Sequence, residues 1–161
     1  MPAGFSIRTA VIADVPDILR LIKALAEYEK LQAEVVATEE RLRESLFGAR
    51  PAAETLLGCL DGRAVGFAVF FHNYSTFRGR AGIYLEDLFV EPAHRGSGYG
   101  AALLKAVARL AVERGCERLE WSVLDWNAPA IGFYRRLGAL PQDDWTIYRL
   151  QGEALQNAAA P

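Results

Sequence analysis

Residues 88–100 read Leu-Phe-Val-Glu-Pro-Ala-His-Arg-Gly-Ser-Gly-Tyr-Gly, and no other stretch restricts the architecture as strongly. An apolar strand end meets a proline break, and then Arg95-Gly96-Ser97-Gly98-Tyr99-Gly100 opens a helical run. Alternating glycines let backbone N–H groups approach whatever lies above them. A helix starting there adds unpaired N–H groups and a partial positive charge. The stretch therefore reads as a strand, a glycine turn and a helix that together cradle a pyrophosphate, with Arg95 as an added cation. Glycines between a strand and a helix can also be plain turn punctuation. Two nucleotide patterns fail here. The dinucleotide fingerprint G-x-G-x-x-G needs its third glycine one residue later, and the P-loop needs a Gly-Lys-Ser/Thr ending that is absent.

The flanking pattern supplies the layers such a crossover needs. Phe5–Val11 reads as a strand. Asp14 is placed to cap a helix carrying Pro16 in its first turn, with Ile18, Leu21, Ile22, Leu25 and Tyr28 on one face and an end near Lys30. Thr38 is placed to cap a shorter helix with Leu42, Leu46 and Phe47, closed by Gly48. The runs 54–60 and 63–72 flank Asp61-Gly62, a two-residue hairpin signal. A strand Ile83–Val90 follows, then a helix Gly98–Arg114 stopped by Gly115. Next come a strand over 117–124, a helix Ala128–Leu137 closed by Gly138, a last strand Trp145–Leu150 and a frayed tail Asn157–Pro161. The order β-α-α-β-β-β-α-β-α-β, without repeat or linker, predicts one mixed α/β domain over 1–161.

Composition narrows the partners. The 161 residues are 52% hydrophobic with a net charge of −2, enough chain for a core and no basic field for nucleic acid or anionic lipid. No apolar run reaches the ~20 residues that span a bilayer. The N-terminus lacks a signal-peptide core, which makes a cytoplasmic setting the expectation. Cys59 and Cys116 lack metal-ligand spacing and read as two buried thiols of a reduced compartment. His72 and His94 have no metal partner in the pattern, so no metal is expected. His94, beside the glycine turn, could touch a phosphate.

The spacing R-G-x-G-x-G after Leu88-Phe89-Val90 resembles the acetyl-coenzyme A loop of the GNAT superfamily of N-acetyltransferases, and the resemblance extends over nearly the whole chain. Narrower stretches are similar to the diamine acetyltransferase group, and within it most of all to the branch acting on thialysine, an S-aminoethyl analogue of lysine. They are Asp17–Lys23, Leu25–Lys30, Tyr74–Phe77, Ile83–Asp87, Asp125-Trp126-Asn127 and Gln151–Ala154. The resemblance implies a GNAT fold, with a mostly antiparallel twisted sheet of about six to seven strands flanked by about four helices. It also implies acetyl-coenzyme A as co-substrate, a small-molecule amine as acceptor, and a homodimer built through the last strands and C-terminal segment.

Acetyl transfer from a thioester to an amine needs a grip on the pyrophosphate, a polarised carbonyl, a neutral amine and an acid for the thiolate. The resemblance gives the grip to Arg95, Gly96, Ser97, Gly98, Tyr99, Gly100 and Ala101. It gives the pantetheine arm to the backbone of Leu88, Phe89 and Val90, acting as a strand edge, with one N–H as oxyanion donor. The side chains of those three residues also read as core.

Glu86-Asp87 interrupts an apolar strand, and burying charge there is costly unless it serves a purpose. An alkylammonium of pKa near 10.4 is only about one part in 10³ neutral at pH 7, so a carboxylate that binds it and removes a proton through water is useful. The resemblance assigns that place to Glu86, with Asp87 as secondary attraction; the alternative is that Glu86 only pairs with an arginine such as Arg80. Tyr134, in Phe133-Tyr134-Arg135-Arg136-Leu137-Gly138-Ala139, is implied as general acid near the coenzyme sulfur, or as a packing tyrosine. Asn127 either holds the pantetheine arm or caps the helix that begins Ala128-Pro129.

Tyr28 and Glu29 match acceptor-lining positions. Ser75-Thr76 replaces a more acidic segment of the polyamine enzymes, which favours a shorter amine, and Phe77 stands where the family usually has Trp. The shortened Pro141–Trp145 segment leaves open whether Asp143 or Asp144 reaches the acceptor. A polyamine acetyltransferase and a non-catalytic acetyl-coenzyme A-binding module are the rival readings. Neither cysteine lies in a nucleophile setting, so direct attack in a ternary complex is expected.

Overall fold

The computed structural model describes residues 4–161. They form two compact units, one ending at Ser122 and the other running from Val123 to Pro161.

The first unit is a five-stranded sheet in the order β1-β2-β3-β4-β5. Its strands are β1 (Phe5–Thr9), β2 (Glu54–Leu60), β3 (Arg63–Ser75), β4 (Arg80–Val90) and β5 (Leu119–Trp121). The first four pair antiparallel, and β5 joins β4 in parallel. Asp61 and Gly62 turn β2 into β3 with φ of 49° and 84°, the doubly positive geometry a two-residue hairpin demands.

Helix α1 (Val15–Glu29) buries Val15, Ile18 and Leu21 completely. Ile18 and Leu21 pack with Leu57, Cys59, Phe67 and Phe89, which alternate along β2, β3 and β4 as one face of a pleated sheet must. Leu42, Leu46 and Phe47 of α2 (Glu39–Phe47) pack on the same cluster. Helix α3 (Tyr99–Glu113) lies against β2, β3 and β4. Its Leu103 faces Gly58, and the Arg114 guanidinium beyond its end sits 5.8 Å from the Phe70 ring. The sheet is thus sandwiched between α1 with α2 on one side and α3 on the other.

One irregularity shapes everything that follows. Val69 pairs with Asp87 but Phe70 pairs with Leu85, so Glu86 is an extra residue in β4, a β-bulge. The strict alternation expected of two adjacent strand carboxylates therefore fails. Leu85 falls on the Phe70 side, toward α3, while Asp87 falls on the Val69 side, toward α1. Pairing with β5 also stops at Leu85, so the edge of β4 from Glu86 to Val90 has no strand on that side among the described residues.

Several expectations need correction. Trp145–Leu150 forms no strand, leaving five strands rather than six or seven. The end of the chain carries a helix, α5 (Gly152–Ala159), which takes in most of the expected frayed tail. With α4 (Ala128–Arg136) there are five helices among the described residues. Asp14 sits at the N-cap position of α1, yet its carboxylate does not cap that helix. It accepts two hydrogen bonds from Arg8, both at 2.7 Å, and one from the Val11 N–H at 2.7 Å. Thr38 does cap α2, accepting from the Arg41 N–H at 3.2 Å. Cys59 is buried but Cys116 only partly so, and both are free thiols.

Candidate active site

Three pieces of the first unit converge beside the bulge: the end of α1, the second half of β4, and the glycine turn into α3. Helix α1 closes at Lys30 in a left-handed C-cap with φ of 60°. This leaves Tyr28 and Glu29 in its last turn. Asp87, Glu29 and Glu34 line a cavity of about 330 Å³ whose other walls are apolar, including Ile22, Leu25 and Val35. Burial, together with the charges of Glu86 and Glu29, pushes the Asp87 carboxyl up to about 7. Burial also raises the Glu29 carboxyl above its usual range. Glu86 itself is exposed. It has no cationic side chain within salt-bridge distance among the described residues, and Arg80, its suggested partner, lies 3.6 Å from Glu117 instead.

The glycine turn has the open form that its sequence suggests. Gly96 and Gly98 have φ of 83° and 82°, and a Cβ at either would meet nothing within 4 Å. Gly98 is the N-cap of α3, and the Ala102 N–H is the first to close onto it, at 2.9 Å from its carbonyl oxygen. The N–H groups of Gly96, Ser97, Gly98, Tyr99, Gly100 and Ala101 donate to no backbone oxygen among the described residues. They can all serve one anion. The side chain of Tyr99 plays a different part: its ring stacks on Phe5 at 4.0 Å and 7°, in the core. Phe89 and Val90 likewise put their side chains in the core, so only their backbone is left for a ligand.

Arg95 is directed inward by specific contacts. Its Nε donates to the Val90 carbonyl at 2.9 Å, and its guanidinium lies 4.2 Å from the centre of the Tyr28 ring and 5.3 Å from that of Phe89. Tyr28, expected to line the acceptor site, is thereby placed under Arg95 at the start of the glycine turn, while its neighbour Glu29 enters the cavity.

The second unit carries Asn127 and Tyr134 on or beside α4. The Asn127 Oδ1 accepts from the Ala130 N–H at 3.3 Å, which is the helix-capping alternative. The Tyr134 ring lies 5.4 Å from that of Phe133. Asp143 and Asp144 are exposed in this unit, and Phe77 is fully exposed in the turn between β3 and β4. Ser75 ends β3, where its hydroxyl accepts from the Arg78 N–H at 3.3 Å. His72 lies 3.5 Å from Arg114, and His94 lies 3.7 Å from Glu91.

Two features escaped sequence reasoning. The bulge at Glu86 leaves no mark in a strand that reads Ile-Tyr-Leu-Glu-Asp-Leu-Phe-Val. The grouping of Arg20, Arg63 and His94 around Glu91 joins residues as many as 71 positions apart, and no local pattern announces it.

Comparison with known proteins places this geometry. The family model described as the Acetyltransferase (GNAT) family matches residues 19–139. Thialysine N-epsilon-acetyltransferase from Bos taurus is 42% identical over 95% of this chain and 96% of its own. L-ornithine N5-acetyltransferase from Arabidopsis thaliana is 34% identical over 93% and 86%. In three dimensions an integron cassette protein from the mobile metagenome of V. cholerae superposes with a TM-score of 0.83, at 24% identity over 98% of this chain and 99% of that one, which speaks to fold alone. With a bulged fourth strand, a freed strand edge and a glycine turn opening a helix, over a sequence matched along most of its length, the chain belongs to the GNAT family of acetyltransferases.

Proposed function

We propose that residues 1–161 work as one N-acetyltransferase domain that moves the acetyl group of acetyl-coenzyme A onto a primary amine of a small molecule. The acceptor we assign is a thialysine- or lysine-like amino acid or a diamine. The observation that carries this reading is the free edge of β4 from Glu86 to Val90, followed five residues on by a turn whose N–H groups have no backbone acceptor among the described residues. The names of the relatives support the acceptor class, and the family match runs through both units.

In this reading the backbone of Leu88, Phe89 and Val90 receives the pantetheine arm, and one N–H polarises the thioester carbonyl. Such a donor is worth about 2.7–4 kcal/mol in other enzymes. The N–H groups of Gly96–Ala101 take the pyrophosphate. Asp87 and Glu29 attract the ammonium into their cavity, and the apolar walls accept its carbon stem. Glu86, exposed and free of an arginine, accepts a proton through water. The amine nitrogen then attacks the carbonyl carbon directly, the carbon–sulfur bond breaks as the nitrogen's surplus proton passes to water, and Tyr134 donates its hydroxyl proton to the departing thiolate and regains one from solvent. We assign Asn127 to positioning the arm through the helix it caps. Homodimer formation through the exposed Trp145–Leu150 segment and a cytoplasmic location complete the proposal. Both free cysteines suit a reducing compartment. Among the described residues no helix is long and apolar enough to cross a membrane.

The polyamine reading keeps one observation in its favour, since Glu34 joins Glu29 and Asp87 in lining the cavity. Thiol release from acetyl-coenzyme A against thialysine, lysine, ornithine, putrescine and spermidine separates the two. Fastest turnover with the amino acids is expected, and preference for spermidine transfers the assignment. Glu86→Gln should lower kcat by about 10²-fold. Tyr134→Phe should lower it by about tenfold, since a thiol leaves fairly well unaided. Tight coenzyme binding with no thiol release for any amine would refute the enzymatic reading.

A further inference from the structure

Between the end of β4 and the glycine turn lies a five-residue segment, Glu91–Arg95, that makes unusually specific contacts at both of its ends. At the far end, Arg95 is fixed on Val90 and Tyr28 as described. At the near end, the Glu91 side chain is only 16% exposed and ion-pairs with Arg20 of α1. Arg63 of β3 lies 3.3 Å from the same carboxylate oxygen, and His94 lies 3.7 Å from the other. Arg20 is itself oriented on three sides, because its Nη2 also donates to Asp17 at 2.9 Å and to the Ala64 carbonyl at 2.7 Å. The Glu91 N–H donates to the Val65 carbonyl at 2.9 Å, and the turn Pro92–His94 closes with bonds of 2.9 and 3.2 Å. The next anchor is Tyr99, whose ring stacks on Phe5. Between them, with open space around Gly96 and Gly98, the turn has no packing of its own to hold its direction.

We propose that Glu91 is the positioning residue of the coenzyme loop. Clamped by Arg20 and Arg63, it fixes the Glu91–Arg95 segment against α1 and so sets where the N–H groups of Gly96–Gly98 point, ahead of those that α3 holds. An anion cradle works only while its donors hold a common focus, and a misplacement of about 1 Å costs much of its strength. A largely buried carboxylate is itself expensive without partners, and Arg20 and Arg63 supply them. The inference rests on reading 95–101 as the coenzyme cradle.

The test is Glu91→Gln, read by calorimetric binding of coenzyme A without amine, by steady-state kinetics and by thermal unfolding. The expected result is a roughly tenfold rise in Kd for coenzyme A and in KM for acetyl-coenzyme A, with kcat at saturation and KM for the amine within about twofold. Arg20→Lys, which keeps the charge but loses the fork, should raise the same Kd by about fivefold and answers the question if Glu91→Gln does not fold. A folded Glu91→Gln or Arg20→Lys chain with unchanged coenzyme affinity, whatever its melting temperature, makes the cluster a plain brace and overturns the proposal. Wild-type protein that fails to bind coenzyme A would instead overturn the reading of the loop on which the proposal stands.

Discussion

Asp87 should cost the protein stability whenever it is ionised, and replacing it with Asn should stabilise the chain over the wild type more at pH 8 than at pH 5. The carboxyl shares a largely apolar cavity with Glu29 and feels the charge of Glu86, which together with burial lift it from 3.8 to about 7. In the unfolded chain it ionises near 3.8. Between these values the folded protein keeps a proton that the unfolded chain has released. The stability this group confers is therefore complete below about pH 4 and is lost as pH rises through about 7. The difference corresponds to a ceiling of about 4 kcal/mol at about 1.36 kcal/mol per pKa unit, and water entering an open cavity halves it to about 2 kcal/mol. Asn carries no titrating proton, so Asp87→Asn should exceed the wild type by about 0.8 kcal/mol at pH 5 and by about 2 kcal/mol at pH 8. Urea unfolding of both chains at pH 5, 6, 7 and 8 measures this directly, with equal m-values as the control. The Asn variant should also bind the amine more weakly, since the ammonium loses half of its carboxylate pair. Parallel stability profiles for the two chains, or an Asn variant less stable at pH 8, would refute the reasoning.

Asp14 should behave in the opposite sense. Its hydrogen bonds to Arg8 hold the carboxyl below the usual range, so its contribution is present above about pH 4 and lost as pH falls further. Asp14→Asn should cost about 1.5–3 kcal/mol at pH 7 and progressively less in acid, as read by chemical unfolding. Gly98→Ala forces a left-handed φ of 82° on an alanine with room for its methyl, so it should lose only about 1 kcal/mol in unfolding while weakening coenzyme binding. Gly66→Ala offers the contrast. Its Cβ would stand 2.8 Å from the Phe89 carbonyl oxygen, and thermal unfolding should report a loss of about 2–3 kcal/mol with the Phe89 backbone displaced.

Most of the first unit was legible because its signals are local. Asp61-Gly62 specifies its turn by two positive φ angles, Thr38 caps α2 with its own hydroxyl, and the apolar spacing of α1 matches the residues it buries. Reading failed where a residue's role depends on distant partners. Trp145–Leu150 is an apolar run of strand length, but such a run names no neighbour to pair with, and the segment forms no strand. Asp14 stands where a helix cap should, yet a strand residue six positions earlier outcompetes the helix for its oxygens. At the site, the glycine turn was legible from composition and spacing, and its φ angles agree. The cavity was not, because Glu29 and Asp87 meet only once α1 is laid across β4. Arg95 looked like a free cation in the sequence and is instead folded back onto Tyr28.

The bulge at Glu86 separates two obligations that a strand residue ordinarily carries together. Every other position from Ile83 to Val90 has a partner across the β3 ladder, and its side chain must suit one face of the sheet or the other. Residue 86 is opposite none and lies exposed, so its side chain owes almost nothing to folding. Such a position can change chemistry without disturbing the scaffold: acid, amide or hydroxyl could be exchanged there while neighbours on both sides stay in place. Deleting the residue would leave Leu85 and Asp87 as neighbours of a regular strand, still on opposite faces. What would go is the local twist that a bulge adds and the one side chain that folding does not claim. The bulge is therefore a place to hold a functional group, set into a strand whose register stands without it.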